Sequence, residues 1–329
     1  TFVLTTAGTV TARDAVENYT LGGTSGQTNT FTVNSSEVAV NVTASSTVAT
    51  IETIDVNGLS VSGTYDLGAG ANTIELASGA NTAGATISAT GTWGFVLDAG
   101  ALAVTVASDQ LEGANSATGI DAAAFNDTVT VDTTRGALTS YTLDADIKTW
   151  NIGTTGNGNN VVTSGVDAQG VTFGTGNDTI KFTSAAFDSA DTVDGGNGAD
   201  TIQITDDANI VLTDMSNKLS IETLLLSGSG AQSVDLGAAS NTAGIRNVTA
   251  IAGNASDIDI SGTTLGLTVT TNNGNDTVTA GSGADNISTG AGNDLIKFLS
   301  ANFTSADTVA GGNDNDTIEI TNDAIVDDA

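Results

Sequence analysis

Cysteine, histidine and proline are all absent from this chain. Without cysteine there is no disulfide framework and no thiolate metal site. Without histidine, neither a zinc-protease motif nor the usual Ser-His-Asp triad can be assembled. Basic residues are scarce too: 7 Lys+Arg stand against 38 Asp+Glu, for a net charge of −31 and a pI near 4.1. Nucleic-acid binding needs a basic footprint, so that class is excluded. Aromatics make up only 4% of the residues while hydrophobics reach 39%, mostly small and aliphatic, which suits a thin core better than a deep one. No uncharged apolar run approaches the length of a membrane span, so no membrane insertion is expected. The charge instead favours polyvalent cations as partners, or a self-repelling soluble surface.

The chain starts at Thr1 without a methionine or a signal-like apolar segment, and ends in "AIVDDA", partway through a recognisable unit. It is therefore expected to be a fragment or a processed form.

What is present is a nine-residue beat. "TNNGNDTVT" (271–279), "AGSGADNIS" (280–288) and "TGAGNDLIK" (289–297) lie end to end. After four extra residues, "FLSA", the beat resumes with "NFTSADTVA" (302–310) and "GGNDNDTIE" (311–319). The sixth places are Asp276, Asp285, Asp294, Asp307 and Asp316. The same arrangement occurs upstream: "TGNGNNVVT" (155–163), "SGVDAQGVT" (164–172), "FGTGNDTIK" (173–181), an "FTSA" interruption, "AFDSADTVD" (186–194) and "GGNGADTIQ" (195–203). Here the sixth places are Asn160, Gln169, Asp178, Asp191 and Asp200, so the first two turns carry amides. Glycine costs backbone entropy, so its density before each short aliphatic strand signals turns that need positive φ or close approach.

These units resemble the RTX calcium-binding nonapeptide G-G-x-G-x-D-x-U-x, with U a large aliphatic. The resemblance implies an all-β chain, an elongated parallel β-roll or β-solenoid with calcium-binding nonapeptide turns alternating with calcium-free β-coils. Two nonamers make one coil, and a lone coil cannot bury its aliphatics, so coils must stack. Ca²⁺ takes six to eight oxygen ligands from carboxylates and carbonyls. The implied ligand turns contain Gly174, Gly176 and Asp178; Asp191; Gly195, Gly196, Gly198 and Asp200; Gly274 and Asp276; Gly281, Gly283 and Asp285; Gly290, Gly292 and Asp294; Asp307; and Gly311, Gly312 and Asp316. Successive turns alternate edges, so Asp276, Asp294 and Asp316 should line one edge and Asp285 and Asp307 the other. The four-residue insertion, and Asp314 at the usual glycine place, put the geometry of the last units in question.

Three further units keep the rhythm with asparagine in the sixth place: 67–75 (Asn72), 76–84 (Asn81) and 236–244 (Asn241). An amide caps a turn but is a poor main ligand for a hard cation, so these are expected to be metal-free solenoid turns. Asn-Asp-Thr at 126–128, 177–179 and 275–277 matches a glycosylation acceptor, but the last two belong to nonapeptide turns. No lysine follows the glycines in Walker spacing. The acid pairs Asp206/Asp207 and Asp327/Asp328 read as solvated charge or peripheral calcium ligands.

"TIETIDVNGLSVSGTYDLGAGANT" (50–73) parallels "SIETLLLSGSGAQSVDLGAASNT" (220–242), so an Ile-Glu-Thr strand recurs ahead of the calcium-free coils. The expected organisation is a Thr/Ser/Ala-rich solenoid region (1–150), a first calcium array (151–210), a calcium-free segment (211–266) and a second array (267–329). A short helix is compatible only with 208–219.

This ordering looks like bacterial surface-layer proteins of the RTX type. The resemblance implies a secreted structural protein, exported by type I secretion and assembling with copies of itself at the bacterial cell surface. Anchoring to a surface glycolipid would involve regions outside this chain. The alternatives are an RTX adhesin stalk or binding module, favoured by an exposed threonine ladder, and the non-catalytic part of a secreted enzyme. No nucleophile with a base is present, so no catalysis is expected.

Overall fold

The computed structural model describes residues 2–6, 8–12, 16–33, 39–45, 50–57, 60–99, 102–114, 120–121, 127–153, 158–165, 168–251 and 253–322. Parts of the first two upstream nonamers (154–157 and 166–167), Asn126, and the pair Asp327/Asp328 lie outside them. The chain divides into two compact units, Thr1–Asn160 and Val161–Ala329.

Each unit is a parallel β-solenoid. A nonamer supplies one glycine turn and one short strand, so consecutive strands fall on different sheets and a strand pairs with the next but one, or with the next but two across residues 192–235, where a coil carries an extra strand. In the second unit Thr179–Phe182 pairs parallel with Thr201–Ile204, which pairs with Thr223–Leu226 and that with Asn247–Ala250. Thr268–Thr270, Asn286–Ala291 and Thr308–Asn313 continue the sheet. A facing sheet runs from Gln232–Asp235 through Ser256–Asp259, Thr277–Thr279 and Leu295–Phe298 to Thr317–Ile320. Calcium-type and calcium-free coils therefore share sheets.

The register stacks identical positions. Ile180, Ile202, Leu224, Val248, Val269 and Ile287 form one buried column, and Val234, Ile258, Val278 and Ile296 another. Burial of each such side chain contributes about 1.5–3 kcal/mol, available only when the neighbouring coil is present. In the first unit Phe31, Ile54, Ile74 and Phe95 make the equivalent column, from strands Thr28–Val33, Ile51–Val56, Ala71–Leu76 and Thr92–Leu97.

The four-residue insertions sit in the turns and leave the strand register intact. After Phe182 the chain makes a tight turn in which the Phe187 N–H donates to the Thr183 carbonyl at 3.1 Å. Phe187 returns edge-on to Phe182, with ring centroids 5.2 Å apart, and Phe303 returns onto Phe298 in a tilted pair at 4.8 Å. Thr179 still faces Thr201, and Leu295 still faces Thr317.

Helix falls elsewhere than expected. Residues 208–219 contain strands Asn209–Ile210 and Lys218–Leu219 joined by turns, one of them fixed by the Val211 N–H donating to Asp214 Oδ2. Among the described residues the short helices are Ser108–Gly113 and Ala239–Ala243. The latter overlaps the nonamer rhythm of 236–244, where Ala238, Ala239 and Ala243 favour helix and Gly244, at φ 100°, caps it. Asn241 thus lies in a helical turn, and its Oδ1 accepts the Thr264 N–H.

Candidate metal centre

Glycine and acid cooperate at each turn. Gly198 has φ 148° and Gly292 φ 138°. A Cβ on Gly198 would sit 1.7 Å from the Gly176 carbonyl oxygen, and one on Gly292 1.8 Å from that of Gly274. Only glycine lets these carbonyls stack. Gly196 lies over Gly174 in the same way, and Gly312 over Gly290. Gly195 faces the Asp200 carboxylate, Gly311 that of Asp316, and Gly281 and Gly283 pack on Thr263 and Leu265–Gly266.

The sixth-place acids form ladders. Each carboxylate accepts the backbone N–H of the corresponding residue one coil earlier. Asp178 N–H donates to Asp200 Oδ1 at 2.7 Å, Asp276 to Asp294 at 2.8 Å, Asp294 to Asp316 at 3.1 Å and Asp285 to Asp307 at 2.8 Å. Asp276, Asp294 and Asp316 thus share one edge, and Asp285 and Asp307 another. The step is 18 residues from Asp276 to Asp294 and 22 from Asp294 to Asp316, so the insertion leaves the ladder unbroken.

The two oxygens of an acid have different duties. The Oδ2 atoms of Asp200 and Asp294 are buried and make no hydrogen bond among the described residues. A buried carboxylate oxygen left bare is costly unless a cation meets it. Burial pushes the Asp200 carboxyl up to about 6, with Asp178, Glu222 and Asp194 adding to the shift. Burial likewise raises Asp276 and Asp285. Among the described residues no three His, Cys, Asp or Glu side chains converge to hold a metal alone. The remaining ligands must therefore be carbonyls, as Ca²⁺ accepts. Ca²⁺ fits this donor set: hard oxygens, bare at the acid and massed at the glycine turns. It would neutralise the stacked carboxylates, held by Asp200, Asp294 and their neighbouring turns.

Asp191 differs. Its Oδ1 accepts the Gln169 N–H at 3.2 Å and its Oδ2 the Asp188 N–H at 3.1 Å. The turn around it already holds a cation, the Lys218 ammonium. Lys218 is 1% exposed, and its Nζ donates to the carbonyls of Asp188 (2.8 Å), Asp191 (2.9 Å) and Ser216 (3.0 Å). Phe187 covers it, 4.9 Å from Nζ to the ring centroid. Burial pulls its pKa down to about 8.

The amide turns cap backbone instead. Asn160 Oδ1 accepts the Leu138 N–H, and its Nδ2 donates to the Gly158 carbonyl. Gln169 Oε1 accepts the Gly165 N–H. Asn72 accepts the Glu52 N–H at 2.9 Å, and Asn81 accepts the Ala83 N–H.

Sequence reasoning missed Glu52, Lys218 and Glu222. Both glutamates occupy ladder positions: Glu52 lies between Asn29 and Asn72, and Glu222 accepts the Asp200 N–H. The signal was available, since Glu-Thr-Ile (52–54) and Glu-Thr-Leu (222–224) are Asp-Thr-Ile (200–202) with one more methylene.

Asp314 occupies the turn place where Gly198 and Gly292 sit, and it adopts φ 77°. Asp314→Gly should relieve this left-handed strain and raise stability by about 0.5–1 kcal/mol. Thermal midpoints of the two proteins in saturating calcium will show it.

The family model of the RTX calcium-binding nonapeptide repeat matches four copies, over residues 186–203, 268–296 and 304–319. The upstream stretch with Asn160 and Gln169 lies outside the match. No curated protein and no solved structure matches the chain. The bare acids, glycine-stacked carbonyls and matched repeats agree: these coils are RTX-type β-roll, and their nonapeptides bind calcium.

Proposed function

We propose that the chain is a structural protein of a calcium-dependent cell-surface layer or related extracellular polymer, made of copies of itself. RTX repeats are typical of secreted extracellular proteins, and their β-rolls are typically structural. No helix among the described residues is long and apolar enough to cross a membrane. The observation that carries the reading is the shared sheet of the second unit. Calcium-type strands such as Thr201–Ile204 continue without a break into calcium-free ones such as Thr223–Leu226 and Asn247–Ala250. Ion binding then stiffens one continuous fabric instead of shaping a pocket. On this reading the chain has no catalytic role, its export is by type I secretion, and a surface glycolipid anchors it through other regions.

Outward-facing threonines favour a second reading, a binding module of the adhesin kind. Thr9, Thr30, Thr53 and Thr73 are in register across four strands, and Thr179, Thr201 and Thr223 across three; Thr9 is exposed and the others are half-buried. Negative-stain microscopy of the purified chain with and without calcium separates the two. Ordered sheets or filaments with calcium support the polymer. Monodisperse particles at every calcium level overturn it in favour of the binding module.

A further inference from the structure

We propose that Glu222, which lies outside the nonapeptides, closes a calcium site together with Asp200 and the Ser220 carbonyl, extending ion binding one coil beyond the first array. This rests on calcium binding by the repeats and is independent of the surface-layer reading.

The ladder that joins Asp178 to Asp200 continues into this coil. Asp200 N–H donates to Glu222 Oε2 at 2.7 Å, the same length as the Asp178-to-Asp200 bond and the same 22-residue step. Glu222 N–H in turn donates to the Asp200 carbonyl. The longer side chain thus reaches the place an aspartate holds in a nonapeptide coil.

A bare, buried oxygen points into the space between the two turns. Asp200 is 1% exposed and its Oδ2 has no hydrogen-bond partner among the described residues. A Cβ placed on Gly195 would meet the Ser220 carbonyl oxygen at 2.0 Å and Asp200 Oδ2 at 2.7 Å, so both oxygens crowd one face of that glycine. Ser220 holds φ 53°, unusual for a residue with a side chain, and this turn geometry brings its carbonyl there.

Among the described residues no cation serves this edge. Among the described residues no lysine or arginine forms an ion pair with Asp200 or Glu222; Arg135 pairs with Asp109. Lys218 is committed to the Asp191 turn. Arg246, next in register after Glu222, gives its guanidinium to the Gly244 and Ile245 carbonyls. The same coil therefore presents two acidic turns, one filled by an ammonium and one with two carboxylates, a carbonyl and no positive charge. Ca²⁺ supplies what the second lacks.

Calcium counts and affinities by dialysis and calorimetry test this on the full chain, with Glu222→Gln, Glu222→Asp and, as control, Asp294→Asn. Glu222→Gln keeps an acceptor for the Asp200 N–H but loses the charge, and should bind one fewer ion. Glu222→Asp keeps the charge and should retain the ion, about tenfold weaker. A purely hydrogen-bonding role reverses the order: glutamine would match the parent and aspartate would not. That order, or an unchanged count in Glu222→Gln, overturns the proposal. Should Glu222→Gln not fold, Glu222→Asp decides, retention of the weakened ion supporting the site and its loss overturning it. Loss of an ion in Asp294→Asn alone refutes this site while leaving calcium binding by the nonapeptides intact. A parent chain that binds no calcium removes both.

Discussion

In excess chelator, residues 178–316 should lose most of their β structure, while the first unit keeps its own. The difference follows from the ladders. In the first unit the ladder edge at Glu52 is flanked by the amides Asn29 and Asn72, which hydrogen-bond without charge. In the second unit carboxylates stack on carboxylates, within a chain of net charge −31. A ligand at one hundred times its Kd stabilises the folded state by about 2.7 kcal/mol per site, so about six ions would contribute about 16 kcal/mol, more than an ordinary domain's whole stability. The same ions would cancel about 12 negative charges, so association of copies should appear along with folding. Sodium chloride at equal ionic strength should not substitute, because screening supplies no ligand geometry.

Acidity should act in opposite senses with and without the ion. The folded, calcium-free Asp200 carboxyl sits at about 6, above its usual 3.8. Its stability contribution is complete below the usual value and is lost as pH rises through about 6, so acidification towards pH 4 stabilises the calcium-free array. With calcium, the same protonation displaces the ion and destabilises. Circular dichroism and light scattering during calcium titrations at pH 7 and pH 5 read both effects. A complete fold with intact polymers in chelator at pH 7 would show that the calcium-free coils suffice.

Replacing Lys218 should have the next largest effect. Lys218→Met leaves the carbonyls of Asp188, Asp191 and Ser216 without their donor in a dry turn, at a cost of about 3 kcal/mol. Methionine fills the space, so added calcium should not restore the loss. Lys218→Ala empties the space instead, and millimolar calcium should recover part of its stability. Denaturant unfolding of both variants at fixed calcium levels makes the comparison. Equal stability of Lys218→Met and the parent would mean that the ammonium contributes nothing net.

The repeating fold was legible because it depends on spacing. Nine-residue units with glycine at the fourth place and aspartate at the sixth lead directly to paired turns, alternating edges and an inward aliphatic such as Ile202, which is fully buried. The site was less legible, for three physical reasons. Ladder positions accept any side chain whose oxygen reaches the preceding N–H, so Glu222 and Gln232 serve where the motif has aspartate. A cation need not be a metal, and nothing about Lys218 in the sequence announces a side chain folded back onto carbonyls. Rhythm alone cannot separate a strand turn from a helical one, as Ala239–Ala243 shows. The four-residue insertions looked like threats to register, yet the turns absorb them because the ladder bonds, not loop length, hold the coils in step.

The ladders also have a direction. Each ladder bond between sixth-place acids carries hydrogen from the earlier coil to the later one, from Asp178–Asp200 to Asp294–Asp316. At the sixth places a stack of such coils therefore has unlike ends: its leading face offers carboxylate oxygens and its trailing face offers N–H groups. Two stacks meeting end to end complete each other's ladders in only one orientation, leading face to trailing face. Like faces would set acid against acid, or donor against donor. Two-fold end contacts are thereby disfavoured, and any joining through these edges is heterologous and open-ended, the symmetry of a filament rather than of a closed dimer.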